Sequence, residues 1–214
     1  MTYYHRNLPH YQPDGATFFI TFRLSGSIPL IKLYSLRTDY EKELKELTSS
    51  FSAYKSGFYD KLYVLQKKHF AKFDNLIDSN LVGPDWLKID DVAKIVSDKI
   101  HSFDNSKYEL IVYCIMPNHV HLVIKLYEDL VTSKSNFKGK TKEYILADIL
   151  RLIKGSTARN SNILLKRTGS FWQHESYDHV VRNEKELGNI IRYVLNNPVK
   201  AGLVNDYKQW KWSY

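Results

Sequence analysis

The segment YELIVYCIMPNHVHLVIK, residues 108–125, decides how the chain is read. Two apolar runs, Tyr108 to Ile115 and His119 to Lys125, flank Met116, Pro117 and Asn118, so two strands joined by a tight turn are expected. Side chains on a strand alternate faces with a rise of about 3.3 Å per residue, which puts His119 and His121 on one face, roughly 6 to 7 Å apart at Cα. Val120, Leu122 and Ile124 then take the other face. Two imidazoles so spaced can converge on one cation without distorting the backbone. The spacing alone is a weak signal, because 8 His in 214 residues give a His-x-His triplet about 0.3 times by chance. A third ligand and a nucleophile are needed.

Downstream, Asn183 followed by Glu186 fits an N-cap with an acid at the third helical position, and Leu187, Ile190, Ile191 and Val194 follow at helical spacing. The helix is expected to stop near Asn197, since Pro198 disfavours helical geometry in the residue before it and Gly202 lies just beyond. Glu186, Tyr193 and Asn197 share a stripe at the edge of the apolar face, with Tyr193 and Asn197 one turn apart. Packed beside the His strand, such a helix would offer an amide oxygen as third ligand and a phenol next to the metal. The alternative is that Tyr193, one of 16 Tyr, packs at the core edge while Asn197 caps the helix. Tyr177 is a rival nucleophile with no polar partner at i+4, and Gln173 and His179 are either site-lining or structural.

Upstream, residues 1–15 read as an extended arm closed by a turn at Pro13-Asp14-Gly15. In ATFFITFRL, residues 16–24, one face is wholly apolar and the other mixed, which is a half-buried strand. Leu36, Tyr40, Leu44, Leu47 and Phe51 mark an amphipathic helix from Leu33 that should pack on the sheet. Residues 51–88 read as a helical elaboration, with a helix near 58–73 and then a loop. A further helix runs from Asp90 to about Ser102. Residues 127–140 read as an exposed loop, and Thr141 as the N-cap of a helix to about Arg159 with Ile145, Ile149, Leu152 and Ile153 buried.

The composition, 43% hydrophobic over 214 residues, suffices for one domain spanning 1–214. A net charge of +8, from 31 Lys and Arg against 23 Asp and Glu, favours a polyanionic partner, nucleic acid first. Arg151, Lys154, Arg159, Lys166 and Arg167, with Arg182 ahead of the last helix, are the candidate phosphate contacts; a solvated surface is the alternative. The lone Cys114 sits in a strand and reads as a small core residue. With no apolar leader and no stretch near ~18 apolar residues, a cytoplasmic protein without membrane association is expected.

Several separated motifs together carry a resemblance: YHRNLPHYQPDGATFFITFRL, YCIMPNHVHLVI and GSFWQHESYDHVVRNEKELGNIIRYVLNNPVKAGLV, in that order. The sequence resembles the REP-associated tyrosine transposases, a branch of the single-tyrosine transposases in the HUH endonuclease superfamily. The resemblance implies an α+β, ferredoxin-like antiparallel sheet flanked by helices. It implies that His119 and His121 bind a divalent metal with Asn197 as third ligand and that Tyr193 is the nucleophile; an amide oxygen and phosphate oxygens beside two imidazoles suit Mg²⁺ or Mn²⁺. It implies single-stranded or hairpin DNA as substrate, cut and rejoined through a 5′-phosphotyrosine. Two other readings use the same scaffold: a catalytically silent nucleic-acid-binding regulator, and a metallohydrolase with water as nucleophile. Either a monomer or a homodimer fits the sequence.

Overall fold

The computed structural model describes residues 15–50, 57–79, 83–127 and 145–214. The arm before Gly15, the loop over 128–140 and Thr141 lie outside the described residues. Strand β1 is Thr17–Arg23, β2 is Tyr108–Ile115, β3 is His119–Leu126 and β4 is Tyr177–Val180. They form one antiparallel sheet in the order β2-β3-β1-β4. The helices are α1 (Leu30–Ser50), α2 (Phe58–Asp78), α3 (Asp90–His101), α4 (Ile145–Leu164) and α5 (Glu184–Lys200). The elements β1, α3, β2, β3, α4 and β4 make the expected ferredoxin-like α+β unit, with the α1–α2 pair inserted before α3 and α5 appended.

The hairpin forms where its turn residues dictate. Met116 N–H donates to the His119 carbonyl at 2.8 Å, and β2 and β3 pair along their lengths apart from a bulge between Leu110 and Val112. Alternation then sorts two cores. Phe18, Ile20 and Phe22 of β1 and Val120, Leu122 and Ile124 of β3 pack with α3 and α4 on one face. Phe19, Cys114 and Val123 pack with Val194 of α5 on the other. Cys114 is buried and free, as expected. At the exit of β1, Gly83 lies so close to the Gly26–Ser27 backbone that a Cβ there would stand 2.8 Å from the Gly26 carbonyl oxygen.

Two expectations are corrected. Helix α1 does not pack on the sheet: it pairs with α2 and buries none of its residues. Both faces of the sheet already carry helices, so the α1 stripe of Leu36, Tyr40, Leu44 and Leu47 is half-buried in the helix pair. The last helix does not stop near Asn197 but continues through Pro198 to Lys200. The carbonyls of Asn197 and Pro198 are taken up by the turn that follows, accepting from Ala201 N–H and Leu203 N–H. The second helix is also longer than 58–73, reaching Asp78, and its added turn bears directly on the site. Among the described residues no helix is long and apolar enough to cross a membrane.

Candidate active site

The alternation of β3 aims both imidazoles at the α2–α5 face. His119 and His121 are buried, their Nε2 atoms 3.1 Å apart, and each ring is oriented from behind. Asn118 Oδ1 lies 2.7 Å from Nδ1 of His119, and Thr21 Oγ1 lies 2.8 Å from Nδ1 of His121. Hydrogen bonds at Nδ1 leave the Nε2 lone pairs facing each other. Burial drives both rings toward the neutral form: His119 is lowered to about 3 and His121 lies well below its ordinary value, with Lys200 opposing a second positive charge.

Helix α5 begins as its sequence requires, with Asn183 Oδ1 accepting from Glu186 N–H at 2.9 Å. Its register delivers Asn197 to the imidazoles: Nδ2 donates to Nε2 of His121 at 3.2 Å and to the Tyr193 hydroxyl at 3.2 Å. Phe19 lies beside both, its ring 5.5 Å from that of His121 and 6.2 Å from that of Tyr193. The four residues predicted to act together, His119, His121, Tyr193 and Asn197, are thus brought into one cluster. Tyr177 lines the same cleft as Tyr193 but pairs with Thr21 in the sheet and stacks on Phe70 at 4.0 Å, and burial raises its phenol further from ionisation.

Helix α2 adds what sequence reasoning missed. Asp74 Oδ1 lies 3.5 Å from Nε2 of His121, and Asp78 Oδ1 lies 3.7 Å from Nε2 of His119. Burial opposes charge on both sides of each contact. Burial and the neighbouring Asp78 push the Asp74 carboxyl up to about 8, and burial also raises Asp78 against the pull of Lys200. Both carboxylate oxygens of Asp74, Oδ1 of Asp78 and Oδ1 of Asn197 are buried without a hydrogen-bond partner among the described residues. Buried polar atoms left unpaired cost free energy that a cation would recover. Ligand atoms of Asp74, His119 and His121 lie within 4.8 Å of one another, so the residues present fit a divalent ion. A signal for the two acids exists in the sequence: Phe70, Asp74, Ile77 and Asp78 follow i, i+4, i+7, i+8, so both aspartates occupy the apolar register of α2.

The basic residues are dispersed. Helix α4 covers the sheet face opposite the imidazoles, so Arg151, Lys154 and Arg159 lie across the sheet from Tyr193. Arg151 faces Asp148 at 3.5 Å, and Arg159 and Lys166 are exposed. Lys154 Nζ donates to the Gln173 and His174 carbonyls and to Ser176, which braces the loop before β4. Arg167 stacks on Trp86 at 3.9 Å and donates to Asn162 and Ser170. Arg182 stacks on Tyr63 of α2 at 3.5 Å, on the site's own face of the sheet. His179 meets Glu186 at 3.2 Å, whereas the Gln173 backbone bridges Arg23 and Lys154.

A sheet that presents a buried imidazole pair to a helix carrying a tyrosine and an amide is the arrangement that the resemblance implies, and the chain has the α+β fold expected with it. The resemblance to the REP-associated tyrosine transposases is borne out by comparison with known proteins. A Haemophilus influenzae protein named "Putative REP-associated tyrosine transposase" is 32% identical over 107 residues, covering 50% of this chain and 58% of that one. The REP-associated tyrosine transposase of Escherichia coli is 24% identical over 106 residues, covering 50% of this chain and 53% of that one. The chain therefore spans somewhat more than half the length of these curated relatives. A solved structure of a REP-associated tyrosine transposase bound to a REP hairpin aligns with 100% of this chain and 82% of its own at a TM-score of 0.54 and 17% identity, a likeness of fold. No family model matches the chain.

Proposed function

We propose that the chain is a metal-dependent, single-tyrosine DNA strand transferase that cuts and rejoins single-stranded or hairpin DNA in the cytoplasm, as one domain. The observation that carries this reading is the convergence of the Tyr193 hydroxyl, Asn197 and His121 within two 3.2 Å hydrogen bonds, beside the buried Asp74, neither of whose oxygens has a partner among the described residues. His119, His121, Asp74 and Asn197 would hold the ion. Rotating the Asn197 amide by half a turn exchanges its donor for its orphaned oxygen. A ligand set of three oxygen-bearing side chains with two imidazoles, counting Asp78, suits Mn²⁺ or Mg²⁺. When bound, the ion polarises the scissile phosphate and offsets the charge that develops on it.

The chain's own groups do the rest. Asn197 and Phe19 fix the phenol of Tyr193, so that its oxygen attacks phosphorus in line. The new bond joins that oxygen to phosphorus as the bond to the 3′-oxygen breaks. The phenol proton passes to solvent and the departing 3′-oxygen takes one up, leaving a 3′-hydroxyl and a 5′-phosphotyrosine. The phosphodiester's energy is conserved, so a second 3′-hydroxyl can reverse the step on a new strand without ATP.

The test is a denaturing gel of end-labelled hairpin DNA incubated with Mn²⁺. A covalent adduct should form with wild type and with Tyr177→Phe, and should be absent with Tyr193→Phe at unchanged thermal stability. An adduct in Tyr193→Phe that is lost in Tyr177→Phe would reverse the assignment. DNA binding without any adduct would leave the regulator reading in its place.

A further inference from the structure

Phe19, Thr21 and Arg23 share the face of β1 that looks onto the imidazoles. The Phe19 ring lies 5.5 Å from that of His121, Thr21 holds Nδ1 of His121, and Arg23 pairs across the sheet with His119. Tyr193 stands at the Phe19 and His121 end of this row. Arg23 closes the other end, about 13 Å of strand from Phe19. It is 5% exposed, and burial lowers its pKa from the usual range against a weaker opposite pull from Glu175. Nη1 donates to Ser27 Oγ at 3.1 Å and to the Leu24 carbonyl at 3.4 Å. Among the described residues, Nε and Nη2 have no hydrogen-bond partner and no carboxylate stands within ion-pair distance of the guanidinium. Neutral oxygens alone do not offset a charge taken out of water. Pinning the turn after β1 does not explain the charge either, because Gly83 already fixes that turn by its close approach to Gly26 and Ser27.

We propose that Arg23 holds a phosphate of the departing DNA strand, the next one on the 5′ side of the cut. This rests on the strand-transferase reading and adds a substrate-holding residue to the same site. In-line displacement places the leaving 3′-oxygen opposite the attacking phenol. With Tyr193 at one end of the row and the imidazoles in the middle, the strand that leaves with the 3′-hydroxyl runs toward Arg23. A guanidinium offers paired N–H donors to one phosphate, and Nε with Nη2 is such a pair. The bond from Nη1 to Ser27, itself buried, keeps the guanidinium plane from turning. Held in this way, the new 3′-hydroxyl stays beside the phosphotyrosine and is at hand for rejoining.

The probe is a hairpin DNA with a single-stranded flank in which a neutral methylphosphonate replaces one phosphate at a time across the cut. Affinity is measured by fluorescence anisotropy on the full chain carrying Tyr193→Phe, so that no cleavage intervenes. The methylphosphonate next to the scissile phosphate on its 5′ side should weaken binding by about 10- to 150-fold, the worth of one charged hydrogen-bonded contact. Adding Arg23→Met should weaken the unmodified DNA by a similar factor and make that one methylphosphonate harmless, while every other position keeps its effect. Arg23→Lys, which keeps the charge but not the paired donors, should fall between. Arg23→Met should melt no lower than its parent, because the charge it removes has no counterion in the fold. Equal methylphosphonate effects along the strand would overturn the proposal, and so would additivity of Arg23→Met with every position. A lower melting temperature with a uniform loss of affinity would make Arg23 a structural residue of the turn. The covalent adduct is scored separately with Tyr193 intact. Coupling at one phosphate without any adduct would sink the strand-transferase reading and leave Arg23 as a phosphate contact; an adduct without coupling would do the reverse.

Discussion

Asp74 Oδ1 lies 3.5 Å from Nε2 of His121, a contact between the inserted helix α2 and the central strand β3. The carboxyl is buried with both oxygens unpartnered and its ordinary acidity lost. Replacing Asp74 with Asn should weaken Mn²⁺ binding by roughly 10- to 100-fold in calorimetric titration. In EDTA the same variant should melt higher than wild type above neutral pH. A carboxyl raised to about 8 in the fold costs stability once pH exceeds its ordinary value near 3.8, and the cost vanishes below that value. Equal Mn²⁺ affinity in the two proteins would remove Asp74 from the ligand set.

The Thr21 hydroxyl holds Nδ1 of His121 at 2.8 Å, leaving Nε2 free to face His119. Thr21→Val should lower Mn²⁺ affinity by about 10- to 100-fold, because a ring free to turn no longer presents Nε2. Thermal melting in EDTA should fall only modestly, by the one buried hydrogen bond lost, about 1–3 kcal/mol. An unchanged affinity would show that the sheet packing alone orients the ring.

Lys154 makes three hydrogen bonds to the loop over residues 173–176 and sits across the sheet from Tyr193. Lys154→Ala should therefore cost about 1–3 kcal/mol in urea unfolding while leaving the dependence of DNA affinity on salt as it is. Arg159→Ala, exposed on the same helix, should leave unfolding unaltered. A flatter salt dependence for Lys154→Ala, at unchanged stability, would make this helix a phosphate track after all.

Glu186 ties α5 to α2 and β4. Burial raises its carboxyl, but hydrogen bonds from Tyr63, from the Arg182 backbone and from Lys67 outweigh that and bring it down to about 2. A carboxyl lowered in the fold contributes stability above its ordinary value near 4.5, and that contribution is lost as pH falls from there toward 2. Allowing for solvent screening through the partly exposed Lys67, the contribution is on the order of 1–2 kcal/mol. Melting temperature against pH should drop more steeply below pH 4.5 in wild type than in Glu186→Gln, with the variant lower at neutral pH. Parallel curves would mean that Glu186 is held by packing alone.

What the chain states locally, it states plainly. The strict alternation over residues 119–125 determines that both imidazoles share a face, and Asn183 with the i, i+3, i+4 spacing after it determines where α5 starts and that Tyr193 and Asn197 stand one turn apart. These periods depend on neighbours in sequence, so they survive without knowledge of the fold. The tertiary structure alone decided which helix covers which face. It set α2 against the imidazoles, so that Asp74 and Asp78, acids in an apolar register, joined a site read as two histidines and an amide. It placed α4 and its basic residues on the opposite face, although they lie between the hairpin and the nucleophile helix in sequence. It left α1 on α2, because both sheet faces were already taken. An amphipathic stripe specifies that a helix must bury one side, but the surface it meets is chosen by competition among all such stripes for the two faces of one sheet.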